Sequence, residues 1–92
     1  MDLESKLPKA SEYREELQKV KGALVGYRKF RKRQIRALKR LGLAVEKLKS
    51  EHYRVYWPEN PCVSYTFSAT PRSPHAGMDQ YMAMRRTLFD RD

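Results

Sequence analysis

The chain has 92 residues, 40% of them hydrophobic, with 20 Lys and Arg against 11 Asp and Glu for a formal net charge of +9. That apolar supply supports one modest core, and the positive excess goes beyond what a solvating surface requires, which points to an anionic partner. No apolar run approaches the ~20 residues of a membrane span, the acidic opening Met1-Asp2-Leu3-Glu4 fits neither a signal nor a transit peptide, and the lone Cys62 closes no internal disulfide, so an intracellular, reducing compartment (cytoplasm, nucleus or organelle matrix) is expected.

Residues 1–10 read as a leader, with Pro8 marking its boundary, and residues 11–92 as a single small domain. Ser11 is the candidate N-cap of the first helix, and Glu12, Glu15 and Glu16 place negative charge where the helix dipole favours it. Apolar residues then fall at Leu17, Val20, Leu24, Tyr27, Leu38, Leu41, Val45 and Leu48 in one unbroken heptad phase, with Arg31 and Gln34 at the missing seam positions. This spacing predicts helix over 11–51, either one long amphipathic helix or a helical hairpin broken near Gly26 or Gly42.

From residue 53 the period changes to two. Tyr53, Val55 and Trp57 alternate with Arg54 and Tyr56, Pro58-Glu59-Asn60-Pro61 supplies a turn, and Val63, Tyr65 and Phe67 alternate with Ser64 and Thr66. That predicts a β-hairpin over 53–69 whose apolar face packs on the helical stripe. Residues 70–92 form a connector and a short C-terminal amphipathic helix, about 79–89, through Met78, Tyr81, Met82, Leu88 and Phe89, capped by Ser73 with Pro74 or by Asp79. The expected fold class is therefore α+β and predominantly helical, with one β-hairpin.

The strongest functional feature is the run Arg28, Lys29, Arg31, Lys32, Arg33, Arg36, Lys39 and Arg40, uninterrupted by an acid. On a helix all but Arg31 fall on one broad face, a density of cations suited to neutralising several phosphates at once. A solvated face of a core-packing helix is the plain alternative, but such faces mix both signs. A helix-turn-helix reading, on Ala37, Leu41, Gly42, Leu43 and Leu48, requires a recognition helix over Ala44 to Glu51, which is short and carries two acids. Docking on the phosphate backbone without base reading requires less. In the hairpin, Arg54 and Tyr56 share the outer face and are the candidates for stacking on bases or meeting a partner chain.

Enzymatic signals are poor. His52 and His75 have no metal-ligand spacing, Cys62 lies in no nucleophile motif, and there is no phosphate-cradling glycine loop, so neither catalysis nor a metal or cofactor is expected. The expectation is a small basic binding protein that contacts RNA or DNA phosphates through residues 28–40 as an accessory of a larger complex. The alternative is a protein-interaction module, either an inhibitor of a nucleic-acid-handling complex or a supernumerary subunit. Because a seam of this length exceeds what one hairpin covers, Leu17, Val20, Leu24, Leu38, Leu41 and Val45 are expected to meet a homodimer mate or another protein.

Overall fold

Two glycines in left-handed backbone, Gly26 at φ 71° and Gly42 at φ 98°, divide the basic half of the chain into separate elements. The computed structural model describes residues 7–49, 51–73 and 75–90. A 3-10 turn (Ala10–Tyr13) leads into α1 (Arg14–Leu24), followed by α2 (Lys32–Arg40), three strands β1 (Ala44–Leu48), β2 (His52–Trp57) and β3 (Asn60–Ser68), and α3 (Ala76–Leu88). The strands form an antiparallel meander in the order β1-β2-β3. The leader reading over residues 1–6 lies outside the described residues.

This corrects the expected fold class. The described residues form a mixed α+β fold of three α-helices and a three-stranded sheet, not a predominantly helical chain with a single hairpin. The long helix fails at both glycines. After α1, Val25 turns extended and Gly26 reverses the chain. After α2, Gly42 donates to the Lys39 carbonyl at 2.9 Å and Leu43 to the Leu38 carbonyl at 3.4 Å, the paired bonds of a Schellman motif, with Leu38 and Leu43 both buried beneath it. Residues 44–48 are then a strand, because Val45 finds Val55 opposite it in the sheet and Glu46 finds Arg54. No recognition helix exists over this stretch, and the helix-turn-helix reading falls with it.

The hairpin faces follow the alternation. Val55, Trp57 and Phe67 are buried, and Tyr53, Val63 and Tyr65 pack partly buried against the same core. Two aromatic groups fill the space between sheet and helices. Tyr13, Trp57 and Phe89 meet at centroid distances of 5.4 to 5.7 Å, and Phe30 stacks on Phe67 at 5.3 Å and on Tyr53 at 4.7 Å. The Trp57 indole donates to the Leu88 carbonyl at 2.7 Å, fastening the sheet to the end of α3. At the other end of α3, Gly77 lies against α1 so closely that a Cβ there falls 1.9 Å from the Leu24 carbonyl oxygen. A parallel bridge between Lys9 and Asp90 joins the two ends of the described chain.

Three further expectations are revised. The first helix begins as a 3-10 turn with Tyr13 rather than Ser11 as the cap of α1, and α3 starts at Ala76, three residues before Asp79, with His75 at its N-cap. The expected interaction seam is internal: Leu17, Val20, Leu24, Leu38 and Leu41 are buried in the chain's own core and Val45 packs partly buried against it. Sheet and α3 together cover the stripe that the hairpin alone was too short to cover, so these residues are closed to a partner.

Candidate functional site

The connection between α1 and α2 carries the first cations and is anchored from beneath. The Tyr27 hydroxyl donates to the Ser68 carbonyl at 2.7 Å, and the Phe30 amide donates to the Ala69 carbonyl at 2.8 Å, which seats the loop on the end of β3. Both rings are buried, so the intervening Arg28 and Lys29 are directed outward and are exposed.

Gln34 sets the position of α2. Its Oε1 accepts the Arg31 amide at 2.8 Å, one half of a capping box, and its Nε2 donates to the Ala23 carbonyl in the last turn of α1 at 3.0 Å. This buried amide bolts the start of α2 to the end of α1, while Leu38 and Leu41 on the same side fill the core. The helix is thereby fixed in rotation about its axis.

At about 100° per residue, fixing Gln34, Leu38 and Leu41 inward leaves Lys32, Arg33, Arg36, Lys39 and Arg40 within an outward arc of about 120°. All five are exposed, as are Arg28, Lys29 and Arg31. Arg54 and Glu46 form an ion pair at 3.2 Å, whereas among the described residues none of the eight cations of the 28–40 stretch takes part in one. Two shallow furrows flank the arc. One, of about 380 Å³, is lined by Lys32, Ile35, Arg36, Lys39 and Arg40; the other, of about 410 Å³, runs between α1 and α2 past Lys19, Arg33, Arg36 and Arg40. Lys19 is a member of the site that the sequence reading missed, since its contribution depends on the turn that lays α1 beside α2. Off the start of α2, Lys29 and Arg31 share a third depression with Lys47 of β1, an acid, Glu51, and the half-buried ring of Tyr53.

Arg54 and Tyr56 do not join this face. By strand alternation they project from the side of the sheet opposite Val55, away from the helices. The Arg54 guanidinium is also engaged within the chain. It pairs with Glu46 at 3.2 Å, donates to the Pro61 carbonyl at 2.6 Å, and lies 4.2 Å from the centroid of the Tyr56 ring. The side chains proposed to stack on bases are therefore occupied with each other.

No group of three His, Cys, Asp or Glu able to hold a metal ion occurs among the described residues. Cys62 is an exposed thiol on β3. No helix among the described residues is long and apolar enough to cross a membrane. Comparison with protein-family models, with curated proteins and with solved structures returned no match to this chain.

Proposed function

We propose that the chain is a small non-enzymatic binding protein that engages nucleic-acid phosphates through α2 and the loop before it, as an accessory of a larger complex. One observation carries this reading: eight exposed cations between residues 28 and 40, none paired with an acid among the described residues, five of them on a helix held rigidly from behind by Gln34, Leu38 and Leu41. A solvating face gains nothing from excluding one sign of charge, whereas a phosphate backbone returns free energy for each cation through counterion release.

Fluorescence anisotropy against labelled DNA and RNA over a salt series tests the reading. If about six phosphates are neutralised on a duplex, the affinity falls with a log-log salt slope of about −5. Replacing Arg33, Lys39 and Arg40 together by Gln removes about three phosphate contacts and flattens the slope by about three. An absence of binding to either polymer at low salt overturns the proposal.

A second reading, a protein-interaction module, draws on the groove lined by Leu7, Ala10, Met82, Arg85, Arg86 and Phe89, where Met82 is 44% exposed. Methionine adapts readily to a partner's surface. A partner that stays with the tagged chain after nuclease treatment, and is lost on Met82→Glu, supports this reading; one released by nuclease supports the first.

A further inference from the structure

The distribution of cations across α2 distinguishes between forms of nucleic acid, given the phosphate-binding reading on which this step rests. Arg36 stands at the middle of the exposed arc. Lys32 and Lys39 lie about 40° and 60° to one side of it, and Arg40 and Arg33 the same angles to the other. The furrows separate the outer cations in the same way, Lys32 and Lys39 lining one and Arg33 and Lys19 the other, while Arg36 at the crest and Arg40 beside it line both. A single strand offers one line of phosphates and engages one side of such a ridge. A groove walled by two backbones engages both.

Width and side-chain chemistry narrow the choice. An α-helix with its side chains is about 10–12 Å across, which matches the ~12 Å major groove of B-form DNA; the major groove of A-form RNA is too deep and narrow to admit it. Base stacking on unpaired nucleotides requires exposed aromatic rings. α2 itself carries no ring, Tyr27 and Phe30 beside it are buried, Tyr53 off its start is half-buried with one side against Phe30, and the one amide of α2, Gln34, faces the core. The exposed arc offers only charge, and at its crest a guanidinium, the group that suits the O6 and N7 atoms of guanine.

The geometry points to double-stranded DNA as the ligand, with α2 lying in the major groove. Lys32 and Lys39 contact the phosphates of one strand, Lys19, Arg33 and Arg40 those of the other, and Arg36 faces the base edges. Nine helical residues span about 14 Å, or about four base pairs of the duplex. Lys29, Arg31 and Lys47, grouped off the start of α2, then lie beyond the edge of the groove and extend the contact along one backbone.

The test uses the full chain and four labelled ligands of one sequence: a 16-base-pair DNA duplex, the matching RNA duplex, and each DNA strand alone. Anisotropy at one salt concentration should show the DNA duplex bound at least tenfold more tightly than the others. Two paired variants, Lys32→Gln with Lys39→Gln and Arg33→Gln with Arg40→Gln, change only exposed side chains. Each should weaken duplex binding and reduce the salt slope by about two. Substituting 7-deazaguanine for guanine should weaken the parent severalfold and leave the Arg36→Gln variant unaffected. Equal affinity for all four ligands, preference for RNA or a single strand, or a silent paired variant overturns the major-groove inference while leaving phosphate binding in place. Absence of binding to all four at low salt overturns both.

Discussion

Among the described residues Gln34 is the one buried residue of polar or charged type, 7% exposed, and its removal is the most informative perturbation of the fold that presents the basic face. Truncation to alanine leaves the Ala23 carbonyl without its donor. This carbonyl belongs to the last turn of α1, where no helical amide reaches it, since the Tyr27 amide bonds to Leu24 instead. A buried acceptor so stranded costs about 1–3 kcal/mol, and the amide bond to Arg31 adds less because Arg31 is exposed and water replaces the partner. With the space vacated by the side chain, Gln34→Ala should lose about 2–4 kcal/mol, a large share of the ~5–14 kcal/mol open to a chain of this length. Urea unfolding followed by far-ultraviolet circular dichroism measures the loss. Gln34→Glu separates the two hydrogen bonds: the carboxylate still accepts from Arg31 but sets an oxygen against the Ala23 carbonyl. It should destabilise at neutral pH and recover as acid protonates the carboxyl and restores a donor. A Gln34→Ala variant within 0.5 kcal/mol of the parent refutes the role of this side chain as the joint between α1 and α2.

The glycines provide an opposed pair. Gly77→Ala drives a Cβ into the Leu24 backbone and should cost about 3 kcal/mol or more, whereas Gly22→Ala, with nothing within 4 Å, should stabilise by about 0.5–1 kcal/mol; thermal melts decide both. Phe67→Ala should cost about 3–5 kcal/mol because the ring is fully buried between Phe30 and Tyr65, while Tyr56→Ala, losing mainly its contact with Arg54, should cost no more than about 1 kcal/mol. Burial raises the phenol pKa of Tyr27, Tyr65 and Tyr81 above the ordinary 10.0, aided at Tyr65 by the charge of Asp79 and at Tyr27 by Tyr65, and opposed at Tyr27 by the hydrogen bond with Gln80 and at Tyr81 by Arg85. The folded chain holds these protons longer than the unfolded one, so their contribution is intact below pH 10 and is lost as pH rises through the folded values. Unfolding titrated from pH 9 to 11.5 should show this decline, and Tyr27→Phe should make it shallower.

The sheet illustrates what the sequence carried plainly and what it did not. Strands β2 and β3 were legible because Tyr53, Val55, Trp57, Val63, Tyr65 and Phe67 alternate without interruption and are aromatic or branched. Strand β1 was not, because only Val45 on its inward side is apolar; the next inward position is Lys47, and Val45 and Leu48 happen to continue the helical spacing of Leu38 and Leu41. Gly26 and Gly42 were visible as weak points, yet the unbroken heptad phase across them made continuity attractive. A second signal lay in the gap itself. A glutamine in an apolar seam, three residues after an exposed arginine, is the reciprocal half of a capping box and marks a helix start at Lys32. The basic face was legible because charge needs no partner to be read, but its limits were not: Lys19 joins it only through the turn at Gly26, and Arg54 leaves it because β2 directs that side chain away from the helices.

The placement of charge along the helices sets α2 apart from α1 and α3. α1 follows the helix dipole, with Glu15 and Glu16 in its first turn and Lys21 in its last, and α3 does the same with Asp79 and then Arg85 and Arg86. α2 reverses the rule at its start. Arg31, Lys32 and Arg33 occupy the positive end of the dipole, with no acid in the first turn. Along its outer face the pairs Lys32 and Arg36, Arg36 and Arg40, Arg33 and Arg36, and Arg36 and Lys39 set like charges three or four residues apart, each unfavourable by roughly 0.2–0.5 kcal/mol and together by about 1–2 kcal/mol. Gln34, the Schellman turn at Gly42, and the burial of Leu38 and Leu41 offset this repulsion. A helix that needed only to be soluble would place one glutamate at Arg33 or Arg36 and relieve it. Two helices of the chain obey the electrostatic rule and the third departs from it on its exposed face, a departure for which the proposed binding of a polyanion accounts: phosphates set between these cations add attractions that offset the repulsion.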